Sequence, residues 1–129
     1  MTRAAVENFE TWLALRAQDY TPDPAAVRTI ADRSGDVKVL LILGTWCKDS
    51  KREVPRFFKI LDEARIGLEQ VTMMAVDRSK KDAEGLTVRY NVQRVPTFLF
   101  FRADREIGRI VERATTTLEN DIAQIVAGK

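Results

Sequence analysis

The chain has 129 residues, 45% of them apolar, which is enough for a hydrophobic core and argues against global disorder. Lys and Arg total 21 against 19 Asp and Glu, a net charge of +2 with no basic block, so no nucleic-acid partner is expected. There is no histidine and one cysteine, which removes Ser–His and Cys–His catalytic pairs, the usual zinc sites and an internal disulfide; no metal and no cofactor are expected.

In chain order, residues 4–18 place Val6, Phe9, Trp12 or Leu13, and Arg16 at helical spacing, which predicts an amphipathic helix. Glu7 and Glu10 interrupt the apolar content of this N-terminal stretch. It therefore reads as neither a signal peptide nor a membrane span; a cytoplasmic location and no membrane partner are expected. Thr21-Pro22-Asp23-Pro24 is a stop and a new start, with Asp23 as a cap and Pro24 at the first helical position. A short helix follows from Ala25 to Ser34, with Val27 and Ile30 inward and Gly35 ending it. Val37 to Leu43 is apolar except at Lys38 and predicts a strand buried on both faces. After Gly44, Thr45, Trp46 and Cys47, helical spacing takes over from 48 to about 65, with Val54, Phe57, Phe58 and Leu61 on one face and Pro55 kinking or offsetting the helix. Gln70 to Val76 predicts a second strand, Asp77 to Lys81 a charged loop, and Ala83 to Tyr90 a short helix. Val95-Pro96 opens a third strand, Thr97 to Phe101. Ala103-Asp104-Arg105 is a tight turn, and Glu106 to Val111 returns as a hairpin. Thr115 to Thr117 starts the last helix, with Leu118, Ile122, Ile125 and Val126 facing in. This order predicts an α/β fold, a mixed sheet of four to five strands with helices on both sides.

The chemistry-bearing residue is Cys47. It stands at a strand-to-helix junction, where unpaired helix N–H groups and the helix dipole favour thiolate over thiol. A lone cysteine is commonly a small buried hydrophobe. Here Trp46 precedes it, Pro55 follows eight residues later, and V-P-T-F stands at 95–98 ahead of a hairpin. With W-C-K-D-S at 46–50, these features resemble the thioredoxin superfamily from about Val37 to the C-terminus. The resemblance implies a three-layer α/β/α thioredoxin-like fold. One domain is expected over 1–129, with residues 1–35 as an N-terminal helical segment and 36–129 as the thioredoxin core.

The resemblance further implies that Cys47 is the nucleophile, Trp46 flanks the site, Pro55 is the helix kink and Pro96 is a cis-proline against the cysteine. The backbone of Val95 would pair with a bound chain, and Thr97 follows the proline in the same substrate-binding loop. Two positions depart from the family. Ser50 stands where the second, resolving cysteine belongs, and Leu41 where thioredoxins commonly bury an aspartate. A dithiol cycle within the chain is thereby excluded, and Ser50 is left to donate a hydrogen bond to the Cys47 thiolate. Lys48, Lys51, Arg52 and Arg94 add positive potential, and Arg94 is a candidate for binding the carboxylate of a small thiol.

The expected function is a thiol–disulfide oxidoreductase of monothiol type, acting as a monomer on a disulfide-containing protein or a low-molecular-weight thiol. The alternative is a non-catalytic thioredoxin-like domain that binds a protein or peptide beside Pro96. Iron–sulfur carriage is weaker, because K-D-S after the cysteine does not match the C-G-F-S of single-cysteine glutaredoxins.

Overall fold

The computed structural model describes residues 20–44, 48–76 and 85–128. The helix expected at 4–18, the loop expected from Asp77 to Lys81, and Trp46 and Cys47 lie outside the described residues.

Helix α1 spans Pro24–Arg33, strand β1 Val37–Leu43, helix α2 Lys48–Glu63 and strand β2 Val71–Ala75. Helix α3 spans Leu86–Arg89, strand β3 Thr97–Arg102, strand β4 Arg105–Val111 and helix α4 Leu118–Ala127. The sheet has the order β2-β1-β3-β4. β1 runs parallel to β2 and antiparallel to β3, and β3 and β4 form an antiparallel hairpin. This is the expected mixed sheet, with four strands among the described residues.

β1 shows why its run is apolar after Lys38, the one charged and exposed residue in the strand. Val37, Val39, Leu41 and Leu43 enter one core, while Leu40 and Ile42 enter a second core on the opposite face. A strand alternates its side chains between faces, so burial on both sides requires an unbroken apolar sequence. The larger core joins the sheet to α1, α2 and α4. Its hub is Phe57, whose ring centroid lies 4.7 Å from that of Phe98, 5.3 Å from Phe58 and 6.5 Å from Phe100. The second core packs Leu40, Ile42 and Leu99 against Val76, Val92 and Val95, with Tyr90 and Phe101 beside them.

Local chemistry sets most boundaries. Asp23 accepts a hydrogen bond from the Ala25 N–H at 3.2 Å, and Pro24 opens α1. The helix closes on Ser34, not on Gly35: the Ser34 N–H and hydroxyl both return to the Ile30 carbonyl. A hydroxyl that caps its own helix removes the need for a left-handed glycine. α2 continues through Pro55 and buries Val54, Phe57, Phe58, Ile60 and Leu61. β2 begins one residue later than expected. Gln70 belongs to a short 3₁₀ turn, and its side-chain amide donates to the carbonyls of Ser34 (2.9 Å) and Val37 (2.8 Å). The hairpin turn is Ala103-Asp104, both left-handed with φ of 52° and 65°, and Arg105 already belongs to β4. Positive φ at both turn residues matches the twist of the flanking strands.

Two carboxylates are buried, one joining two helices and one paired within its own helix. Glu119, in the first turn of α4, accepts from the Tyr20 hydroxyl and from the Asp23 N–H at 2.8 Å, joining α4 to the start of α1. Burial, with the Glu119 carboxylate beside it, holds the Tyr20 phenol well above its ordinary pKa, so it remains a donor. Glu53 of α2 is also buried and sits between Arg52 and Arg56.

Candidate functional site

Three segments meet at one end of the sheet. β1 ends at Leu43 and continues to Gly44; α2 starts at Lys48; the loop Arg94–Pro96 leads into β3. The pairing of Ile42 with Thr97 carries the end of β1 alongside Pro96. Residues 45–47 join the first two segments, so the chain position of Cys47 is bracketed by described backbone on both sides.

Ser50 is fully buried in the first turn of α2, and its hydroxyl oxygen accepts a hydrogen bond from the Gly44 N–H at 3.1 Å. That bond ties the strand end to the helix start across residues 45–47. It occupies an acceptor position of the hydroxyl and leaves its proton available for donation.

The proline loop is held from several sides. The Val95–Pro96 peptide bond is cis. The Thr97 hydroxyl donates to the Arg94 carbonyl at 2.6 Å, and the Pro96 carbonyl accepts from the Glu112 N–H at 2.7 Å. Glu112 is left-handed, with φ of 65°, and this turn after β4 brings its carboxylate to Arg94 Nη1 at 2.9 Å. Val95 and Thr97 are buried, and the Arg94 side chain is largely exposed.

Arg94 has a partner within the chain. Its guanidinium is ion-paired with Glu112, and that hydrogen bond raises its pKa further. The expected positive field is tempered in the same way: Arg52 binds Asp49 at 2.8 Å and Glu53 at 2.5 Å. The site thus brings Ser50, Val95, Pro96 and Thr97 to one end of the sheet, gives Arg94 a structural partner, and adds Gly44 and Glu112, which the sequence reading passed over. Gly44 was legible as the residue that breaks the apolar run. Glu112 carried no local signal, because its partners lie across the hairpin.

The thioredoxin family profile matches residues 27–124. The chain belongs to the thioredoxin family. A thioredoxin-like protein of Acanthamoeba polyphaga mimivirus is 23% identical over 95 residues, covering 74% of this chain and 66% of that protein. The TPR repeat-containing thioredoxin of Arabidopsis thaliana is 26% identical over 109 residues, covering 84% of this chain and 27% of that protein. The chain thus spans just under two thirds of the viral relative and about a quarter of the plant one. Among solved structures, a Pseudomonas aeruginosa protein of unknown function aligns with a TM-score of 0.66 at 13% identity, over 96% of this chain and 87% of that one. Oxidised thioredoxin O2 of Arabidopsis thaliana aligns with a TM-score of 0.53 at 19% identity, over 97% and 90% of the two chains. These likenesses are of fold. Leu41 in the central strand and Ser50 in the first turn of α2 are both fully buried.

Proposed function

We propose that this thioredoxin-family chain is a monothiol-type thiol–disulfide oxidoreductase with Cys47 as its nucleophile. The observation that carries the reading is the Ser50–Gly44 hydrogen bond, which fixes the strand end against the helix start on either side of the cysteine's place in the chain. A thiol there stands next to a helix N-terminus, where thiolate is favoured. In the proposed reaction the Cys47 thiolate attacks one sulfur of a client disulfide, forming a mixed disulfide and expelling the other sulfur as a thiolate. With Ser50 in the resolving position, a second thiolate must come from an external thiol. It attacks the client sulfur, forms a new disulfide with it, and returns Cys47 as thiolate. Trp46, Val95, Pro96 and Thr97 would line the client strand, and Arg94 would shape that loop through Glu112. The reading fits a reducing compartment, where external thiol is abundant.

Alkylation of Cys47 against pH tests this. The expected result is a titration below the ordinary cysteine value of about 8.5 and a rate abolished in Cys47→Ser. A thiol that titrates as a free cysteine and alkylates slowly would overturn the redox reading in favour of a domain that only binds peptides. Mixed disulfides trapped from a lysate and read by mass spectrometry would identify the clients.

A further inference from the structure

We propose that the cleft lined by Tyr20, Arg52, Arg56 and Arg113 is a specificity pocket that accepts an acidic side chain of the client polypeptide, an inference that rests on the thiol-exchange reading above. The cleft has a volume of about 380 Å³ and lies between the first half of α2 and the chain linking β4 to α4. Arg52 and Arg56 are four residues apart on α2, continuing a face that begins at Lys48. They lie about 6 and 12 Å along the helix axis from that first residue. Arg113 enters from the turn after β4.

The charges around the cleft are unevenly matched. Glu53 is the one carboxylate among its described lining residues. Asp49 and Glu53 together engage Arg52, while Glu119 is taken up by the Tyr20 hydroxyl and the Asp23 N–H. Arg56 reaches Glu53 only at 3.6 Å, and its guanidinium lies over the Tyr20 ring, 4.8 Å from the centroid. Arg113 makes no ion pair among the described residues. Tyr20 stays protonated, so it adds no negative charge. Two arginines are thus left with hydrogen-bonding capacity toward the cleft, one of them oriented by an aromatic face. A planar guanidinium fork matches a carboxylate with two parallel hydrogen bonds, which a lysine ammonium does not.

Position makes this a client pocket rather than a solvated basic face. The Glu112 N–H is bonded to the Pro96 carbonyl, and Arg113 is the next residue. The proline loop and the cleft are thus joined through consecutive residues, and a client strand along Pro96 would bring a carboxylate a few residues from its cysteine toward Arg113.

The test uses a short peptide whose single cysteine is a 2-pyridyl disulfide, made with two flanking Glu or two flanking Gln. Attack by the Cys47 thiolate forms the Cys47–peptide disulfide and releases pyridine-2-thiolate, which takes up a proton and is read by its absorbance. At low salt the Glu peptide should react about two- to fivefold faster than the Gln peptide, the range that exposed ion pairs span. The ratio should fall toward one in Arg113→Gln and at high salt. It should persist in Arg109→Gln, which removes an equal charge from β4 at Glu106. A ratio of one in the wild type, or equal loss in both variants, would overturn the pocket. If neither peptide reacts, the redox reading has failed. The pocket is then decided by fluorescence anisotropy of Cys47→Ser protein with the two peptides carrying Ser for Cys: tighter binding of the Glu peptide supports it, and equal binding sinks it.

Discussion

The two ends of the central strand pair are built from the same kinds of bond for different ends. At the start of β1, Arg102 donates to Asp36 at 3.0 Å and to the carbonyls of Arg33 (2.7 Å) and Val126 (3.3 Å). Gln70 takes the carbonyls of Ser34 and Val37. There, side chains satisfy backbone carbonyls that helix ends and a strand start would otherwise leave open. At the other end, bonds run between connecting segments and the start of α2: Gly44 to Ser50, Pro96 to Glu112, Arg94 to Glu112. They fasten pieces of backbone around residues 45–47 and leave the arginines of α2 and the β4–α4 turn facing a cleft. Among the described residues, the first end is sealed, and the second is held in shape and left open. Rigid elements carrying a site on their connecting loops follow this division.

Four substitutions sharpen the contrast. The largest effect is expected at the open end. Ser50→Cys supplies a resolving thiol within the chain and should raise insulin reduction about tenfold or more, since intramolecular thiols act at very high effective molarity. Unchanged turnover would mean that the first turn of α2 does not face the reacting disulfide. At the sealed end, Arg102→Ala should lower stability by about 2–3 kcal/mol in urea titration through loss of charge-assisted bonds to carbonyls, with the Cys47 alkylation rate unaltered at 25 °C. A matching loss of alkylation would show that the two ends are coupled.

Asp121 comes next, because it braces the approach to α4 beside the open end. Burial alone would raise its pKa, but the N–H groups of Thr115 and Thr116 and their hydroxyls bind its carboxylate and hold it below the ordinary value. A lowered pKa in the folded state means stability present at neutral pH and lost on acidification. Asp121→Asn should therefore cost about 1 kcal/mol at pH 7. The gap between variant and wild type should close as the pH falls below about 4; a gap independent of pH would show that charge is not the cause. The smallest effect is at the sealed end's hairpin. Ala103 is held at φ of 52°, a region costly for any residue with a Cβ. Ala103→Gly should stabilise by about 0.5–1 kcal/mol, measured as a raised denaturation midpoint.

Much of the scaffold was legible residue by residue. The run Val39–Leu43 required a strand buried on both faces, and Val54, Phe57, Phe58 and Leu61 required a helix packed along one side. Asp23-Pro24 announced a helix start, and Thr117 caps the last helix where Thr115 to Thr117 marked it. W-C-x-x-S and V-P-T-F identified the family from motifs that short stretches carry. The end of α1 was misassigned because glycine is the usual helix stop, and a hydroxyl folding back on its own turn leaves no distinct pattern. Gln70 was given to a strand because its side chain's partners, Ser34 and Val37, are 36 and 33 residues away.

By itself, the sequence determined most of the helix and strand segments, which faces are apolar, and that the chain has one cysteine, placed just before a stretch of helical spacing. These follow from periodicities of two and near four residues, which the local chain expresses wherever it lies. Only the tertiary structure decided that Arg94 answers Glu112, that Ser50 secures Gly44, that Tyr20 meets a carboxylate 99 residues on, and that three arginines share a cleft. Charged and polar side chains choose partners by distance in space, and those distances exist only once the hydrophobic cores have closed.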